Sequence, residues 1–253
     1  MFMKIRKFLP ESFQDWERGL SSVAFTQGCN YRCPSCHAKE LLANSEDLEF
    51  KDQQEVLKKL RRRSRFINKL VICGGEPTLQ KDLIDFIRDV KKYGIAVKLD
   101  TNGSDPETLK ECLNSGLVDA VSMDVKGPRK IYGNLVGVGD NFKFENVEKS
   151  MGVVCDFPEY EFRTTIVPIR EREGFRWFER KDISDISTWL IETTGSDKHP
   201  YFLQKFFTRD EKLIVHPNWA KGKIPAEYEE TPNNIMEMLY SEAQKYLPNA
   251  KIR

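Results

Sequence analysis

An α/β fold, laid out as a partial (β/α)6 barrel of parallel strands with outer helices, is what this sequence predicts from three observations. Six short runs rich in β-branched and apolar residues alternate with stretches of helical period, and that alternation argues for a parallel sheet covered by helices. Polar residues collect at the C-terminal ends of the runs, where α/β barrels carry their reactive groups. The 253 residues hold six strand–helix units, fewer than the eight of a closed barrel.

The elements follow in order. Residues 1–19 have no strong period and read as a lead-in. Residues 21–26 (SSVAFT) predict the first strand, and a cysteine-rich loop follows at once. Residues 51–65 predict a helix with Val56, Leu57 and Leu60 inward. Its basic run, Lys58 to Arg63, is a solvated face or a docking patch. Residues 69–73 predict a buried strand that stops at Gly74-Gly75-Glu76-Pro77, and a helix over 81–93 ends at Gly94. Residues 95–100 are strand. Ser104-Asp105-Pro106 opens a helix with a cap residue and a first-turn proline, closed by Gly116. Residues 120–125 predict the fourth strand.

Residues 126–140 carry four glycines without phosphate-loop spacing and read as a mobile connection or lid. A helix over 144–154 leads to a strand over 160–167. Residues 170–181 read as irregular or as one short helix, and 183–193 as helical. Residues 201–206 are the sixth strand, and 208–230 a long polar connection. Thr231-Pro232 caps a last amphipathic helix. We expect a single domain over 1–253, with its core at about 21–207 and the connection and C-terminal helix at 208–253.

The 40 basic residues balance 39 acidic ones, which removes any general argument for nucleic-acid or membrane-surface binding. No apolar run has the length of a transmembrane helix, and no signal-peptide pattern opens the chain. The expected location is cytoplasmic. Cys73, Cys112 and Cys155 are scattered singly and read as small apolar residues.

The other three of the six cysteines lie within eight residues: Cys29, Cys33 and Cys36, spaced C-x3-C-x2-C. Short runs of thiolates hold iron–sulfur clusters, and three ligands leave the fourth iron of a [4Fe–4S] cluster open to a small molecule. A structural zinc site wants four ligands. The nearby fourth candidate, His37, directly follows Cys36 and is badly placed to close a tetrahedron. Three cysteines cannot all pair as disulfides.

Strand parity points to a polar lumen, because successive side chains face opposite sides. Lys98, Asp100 and Asn102 share one face; Ser122, Asp124 and Lys126 share one face; Arg163 and Thr165 share one on the fifth strand, and Gln204 can join them from the sixth. Such a lining is poor as a core, since unpaired buried charges are costly. It suits a zwitterionic ligand bearing a ribose.

With these motifs in this order, the chain resembles the radical S-adenosylmethionine (SAM) glycyl-radical-enzyme activases, nearest to the anaerobic ribonucleoside-triphosphate reductase activating proteins. The resemblance rests on CNYRCPSCH (29–37), GGEPTLQ (74–80), LDTNGS (99–104) and SMDVK (122–126). FTQG (25–28), RTTIVP (163–168) and LQKF (203–206) support it. It runs over about 21–207, with pyruvate formate-lyase activating enzyme as a more distant relative. It implies a partial barrel of radical SAM type, with a [4Fe–4S] cluster on Cys29, Cys33 and Cys36. Gly74, Gly75 and Glu76 would then meet the SAM methionine, and Asp100, Asn102, Asp124, Lys126, Arg163 and Gln204 would line the rest. Ser35 stands where the superfamily often places an aromatic residue against adenine.

The implied reaction is reductive cleavage of SAM to methionine and a 5′-deoxyadenosyl radical, which takes a hydrogen from a glycine of a partner enzyme. The implied partners are a glycyl radical enzyme and a low-potential electron donor such as flavodoxin or ferredoxin. A rival within the same chemistry is 7-carboxy-7-deazaguanine synthase, which acts on a small pterin. A rival of another class is a non-catalytic metal-binding docking module.

Overall fold

The computed structural model describes residues 3–17, 19–42, 49–139, 142–208 and 226–253. Most of the polar connection predicted at 208–230, and the end of the segment 126–140, lie outside these residues. The fold is α/β with a mostly parallel sheet, and all six predicted strands form. The chain divides into two compact units, one of residues 1–30, 40–123 and 152–160 and another of residues 31–39, 124–151 and 161–253.

In the first unit β1 (Ile5–Ser12) pairs antiparallel with β2 (Ser21–Thr26). The sheet then runs parallel through β3 (Lys69–Gly74), β4 (Ala96–Thr101) and β5 (Ala120–Asp124). β1 is a strand that the lead-in reading missed. Of its eight residues only Ile5 is buried, so it lacks the apolar alternation that marks a half-buried strand. The helix α1 (Gln53–Arg63) buries its predicted stripe, while α2 (Leu83–Lys91) and α3 (Pro106–Ser115) bury most of theirs, with Ile84 and Leu113 only half-buried. Asp105 caps α3 by accepting from Thr108 N at 3.1 Å, and Gly116 ends it at φ 62°. Such left-handed backbone favours glycine.

In the second unit the segment 126–139 is not an irregular connection. It forms a 3₁₀ turn (Arg129–Ile131) and a short helix, α4 (Tyr132–Leu135), with Tyr132 and Val136 fully buried. Gly137 lies at φ 70°, and a Cβ there would come within 2.2 Å of the Arg32 carbonyl oxygen. This close approach accounts for a glycine that sequence spacing could not explain. α5 (Phe144–Val154) follows.

β6 (Glu159–Ile166) carries most of its length in this unit. The stretch 170–181 is neither irregular nor one short helix: β7 (Ile169–Glu171) and β8 (Gly174–Arg176) form an antiparallel hairpin at its start. Gly174, at φ 139°, makes the turn possible. Arg176 holds the hairpin to the Asp182 carboxylate, which is also the capping-box residue of α6 (Arg180–Thr194). β9 (Tyr201–Lys205) pairs parallel with β6 and with a last strand. Thr231 does not cap the C-terminal helix α7 (Asn233–Ala243), whose N-cap position is Pro232. The Thr231 hydroxyl instead donates to Ile166 O at 2.8 Å and accepts from Phe206 N at 2.9 Å, tying the ends of β6 and β9. The last strand is β10 (Ala250–Ile252).

Candidate active site

In the first unit the C-terminal ends of β2 and β3 lie side by side, with Thr26 opposite Gly74. Gly74 takes φ 114°, and the loop after it is laced to the backbone just ahead of Cys29. Gly75 N donates to Thr26 O at 3.0 Å and Glu76 N to Gly28 O at 2.8 Å. A Cβ on Gly75 would stand 2.0 Å from the Gly28 oxygen, so only glycine fits. The two glycines thus shape the strand end and hold the cysteine loop at its root.

Glu76 is 1% exposed. Its Oε1 accepts from Thr78 N at 3.2 Å, Thr78 Oγ1 at 2.7 Å and Thr101 Oγ1 at 2.7 Å, and its Oε2 accepts from Asn102 N at 2.7 Å. Burial raises its pKa while these hydrogen bonds act to lower it. A buried acceptor of four bonds ties β3 to the end of β4. Thr78 and Thr101 escaped sequence reasoning, which treated Glu76 as a group facing ligand charge. The signal available was a hydroxyl two residues after the acid.

Asn102 leads out of β4, 7% exposed. Its Nδ2 approaches Cys29 Sγ at 3.6 Å and donates to Asn30 Oδ1 at 3.1 Å, while its Oδ1 accepts from Ser104 N at 2.9 Å. On the same face of β4, Lys98 Nζ lies 3.3 Å from Asp100 Oδ1, with side-chain exposures of 5% and 17%. The predicted polar parity is therefore present, and its charges pair with each other.

In the second unit Asp124 accepts from Lys126 Nζ at 2.7 Å and from Arg163 Nε at 3.0 Å. Burial opposes ionisation of Asp124, but Lys126 and Arg163 outweigh it and bring the carboxyl down to about 2. Burial likewise opposes the charge of Lys126, yet Asp124 and then Cys33 raise its pKa above the ordinary lysine value. Glu161 extends this set through a two-pronged bond from Arg253, at 2.7 and 2.9 Å. Arg253 is thus a member that no motif indicated. Thr165 Oγ1 donates to Gln204 Oε1 at 3.4 Å, which puts both on one side of their strands. Ser35 lines a small cleft with Pro34, Asn134, Leu135 and Ile169. His37 stacks on Phe206 and its Nε2 meets Phe207 O at 2.9 Å.

Cys29, Cys33 and Cys36 form no disulfide, and each is half-buried. Among the described residues no three His, Cys, Asp or Glu side chains are gathered to hold a single metal ion. A four-iron cubane makes a different demand, since each thiolate takes its own iron.

The family model described as the radical SAM superfamily matches residues 23–167, more than half of the chain. This chain belongs to the radical SAM superfamily. It is 31% identical, over 94% of its length and 91% of the other's, to a Methanocaldococcus jannaschii protein assigned as a glycyl-radical enzyme activating enzyme. It is also 31% identical, over 76% of its length and 66% of the other's, to a Thermococcus kodakarensis protein assigned as a GTP 3′,8-cyclase. Among solved structures it resembles Streptococcus suis SuiB bound to the precursor peptide SuiA, with a TM-score of 0.61 at 16% identity. That likeness covers 91% of this chain and 48% of the other. The chain thus spans about half the length of that solved structure, and the likeness speaks for the fold. As a radical SAM enzyme, the protein works with a [4Fe–4S] cluster and S-adenosylmethionine.

The donor set fits that group. The three cysteines are unbridged, the Asn102 amide faces the sulfur of Cys29, and Lys126 sits in the field of Cys33. Amide donors and cations favour the thiolate form that ligates iron. Among the described residues no helix is long and apolar enough to cross a membrane.

Proposed function

We propose that this radical SAM enzyme is an activase that makes a glycyl radical on a partner enzyme, and that the partner is anaerobic ribonucleoside-triphosphate reductase. What carries the reading is the match to an activating enzyme over 94% of this chain and 91% of the relative. The match to the cyclase leaves about a third of that protein uncovered. The reductase as partner rests on the run of motifs from Cys29 to Gln204.

In this reading Cys29, Cys33 and Cys36 hold the cluster and leave one iron for SAM. The backbone at Gly74 and Gly75 receives the methionine end, and Glu76 keeps that loop in shape. Asp100, Asn102, Asp124, Lys126, Arg163 and Gln204 orient the remainder, with Ser35 beside the adenine. When bound, the reduced cluster would supply the one electron needed to cleave SAM to methionine and a 5′-deoxyadenosyl radical, the species that would take the glycine hydrogen. The chain positions the groups and keeps water out, and a low-potential donor such as flavodoxin or ferredoxin delivers the electron in the cytoplasm.

Reduced protein, SAM and anaerobic ribonucleotide reductase are expected to give a glycine-centred radical by electron paramagnetic resonance, with one 5′-deoxyadenosine per radical. Efficient turnover of a free pterin, with no radical on any glycyl enzyme, would move the chain to the deazaguanine branch.

Asp124→Asn should weaken SAM binding about 10- to 150-fold, since a charge-assisted bond is worth about 1.5–3 kcal/mol. It removes the carboxylate that holds both Lys126 and Arg163 in place. Iron content should stay at the wild-type level. Unchanged SAM affinity by equilibrium binding would show that this charge set does not face the cofactor.

A further inference from the structure

We propose that Asn102 is a positioning residue that sets the reduction potential of the cluster, by donating its side-chain N–H to the sulfur of Cys29. The inference rests on the reading of Cys29 as a cluster ligand and goes beyond it, because it gives Asn102 a role toward the metal group in addition to the one toward SAM.

The geometry leaves the amide of Asn102 one orientation. Its backbone N–H is pinned to Glu76 Oε2 at 2.7 Å, and its Oδ1 accepts from Ser104 N at 2.9 Å. A flipped amide would turn its NH2 toward the Ser104 N–H and lose that bond, so the network assigns oxygen to one side and nitrogen to the other. The nitrogen then has two acceptors, Asn30 Oδ1 at 3.1 Å and Cys29 Sγ at 3.6 Å. The longer distance suits a sulfur acceptor. The amide NH2 carries two N–H groups, so it can serve Asn30 Oδ1 and Cys29 Sγ together. All these residues belong to one compact unit, and Asn102 is 7% exposed, so water competes little for the bond.

A hydrogen bond to a ligating sulfur favours the more negative state, and reduction adds one negative charge to the cluster. With the donor present the cluster accepts an electron more readily. Without it, the potential moves down.

The test is an anaerobic redox titration of the reconstituted full chain, following the paramagnetic signal of the reduced cluster. Wild type, Asn102→Ala, Asn102→Asp and Ser104→Ala are compared at matched iron content. At the potential where wild type is half reduced, Asn102→Ala should show a reduced-to-oxidised ratio about fivefold lower, equivalent to about 40 mV for one electron. Asn102→Asp keeps the shape and an oxygen for Ser104 N, loses the donor and adds a negative charge, so its ratio should fall further. Ser104→Ala keeps the Asn102 N–H and should titrate with wild type. If Asn102→Ala binds iron poorly, Asn102→Leu, of similar size with neither donor nor charge, decides. Wild-type potentials in the Asn102 variants, on intact four-iron clusters, overturn the proposal alone. Failure of the wild-type chain to assemble a four-iron cluster overturns it together with the ligand assignment.

Discussion

Cys33→Ala is expected to lose the four-iron cluster and all measurable SAM cleavage while the fold survives. Cys33 is half-buried in an irregular loop, and its truncation opens no cavity in the core. The neighbouring Lys126 loses one favourable charge, but it keeps Asp124 at 2.7 Å, so no buried cation is stranded. Iron and sulfide would be assayed after anaerobic reconstitution, alongside 5′-deoxyadenosine release and the far-ultraviolet circular dichroism spectrum. Four irons per chain in this variant would sink the ligand assignment. Loss of the dichroism spectrum would instead mean that the thiol serves the fold.

The second large effect is expected from Gly75→Ala. Its added Cβ would meet Gly28 O at 2.0 Å, Gly28 C at 2.6 Å and Gly28 N at 3.0 Å, all backbone atoms. Neither backbone can yield cheaply. Gly28 N donates to Leu41 O at 2.7 Å, and Gly75 N and Glu76 N are bonded to Thr26 O and Gly28 O. Relief requires breaking at least one of these bonds and shifting the root of the cysteine loop. We expect a cost of about 3 kcal/mol and a fall in Tm on the order of 10 °C, with cluster content reduced. Gly94→Ala is the control. Gly94 has φ 68° but nothing within 4 Å of its Cβ position, so backbone strain alone, about 1–2 kcal/mol, should appear. Equal thermal stability of Gly75→Ala and wild type would refute the close approach.

Much of the sheet was legible in the sequence because parallel strands buried on both faces are near-continuous apolar runs. The runs at 69–73 and 120–125 needed no tertiary knowledge. Parity was legible for the same local reason. Lys98 and Asp100, or Asp124 and Lys126, are two residues apart on a strand and must share a face. β1 and β10 were not legible, since an edge strand with one buried residue, or a strand of three, carries no period of its own. The β7–β8 hairpin was missed because its Arg176 is held by Asp182, on the helix that follows.

By itself the sequence determined the cysteine loop, the order of the strand-end motifs and the face on which the polar residues stand. These depend on spacing and on the two-residue period of a strand, both local. Only the tertiary structure decided what those polar groups bond. Glu76 reads as a ligand-facing acid in the chain and is a buried tie between β3 and β4, because Thr101 and Asn102 reach it from 25 and 26 residues away. Asp124 is held below the usual carboxylate range by Lys126, its neighbour on the chain, and by Arg163, which arrives from 39 residues away on β6. Asn102 meets Cys29 across 73 residues. Hydrogen bonding and charge coupling act through space over a few ångströms, and which residues come that close is set by the packing of whole strands.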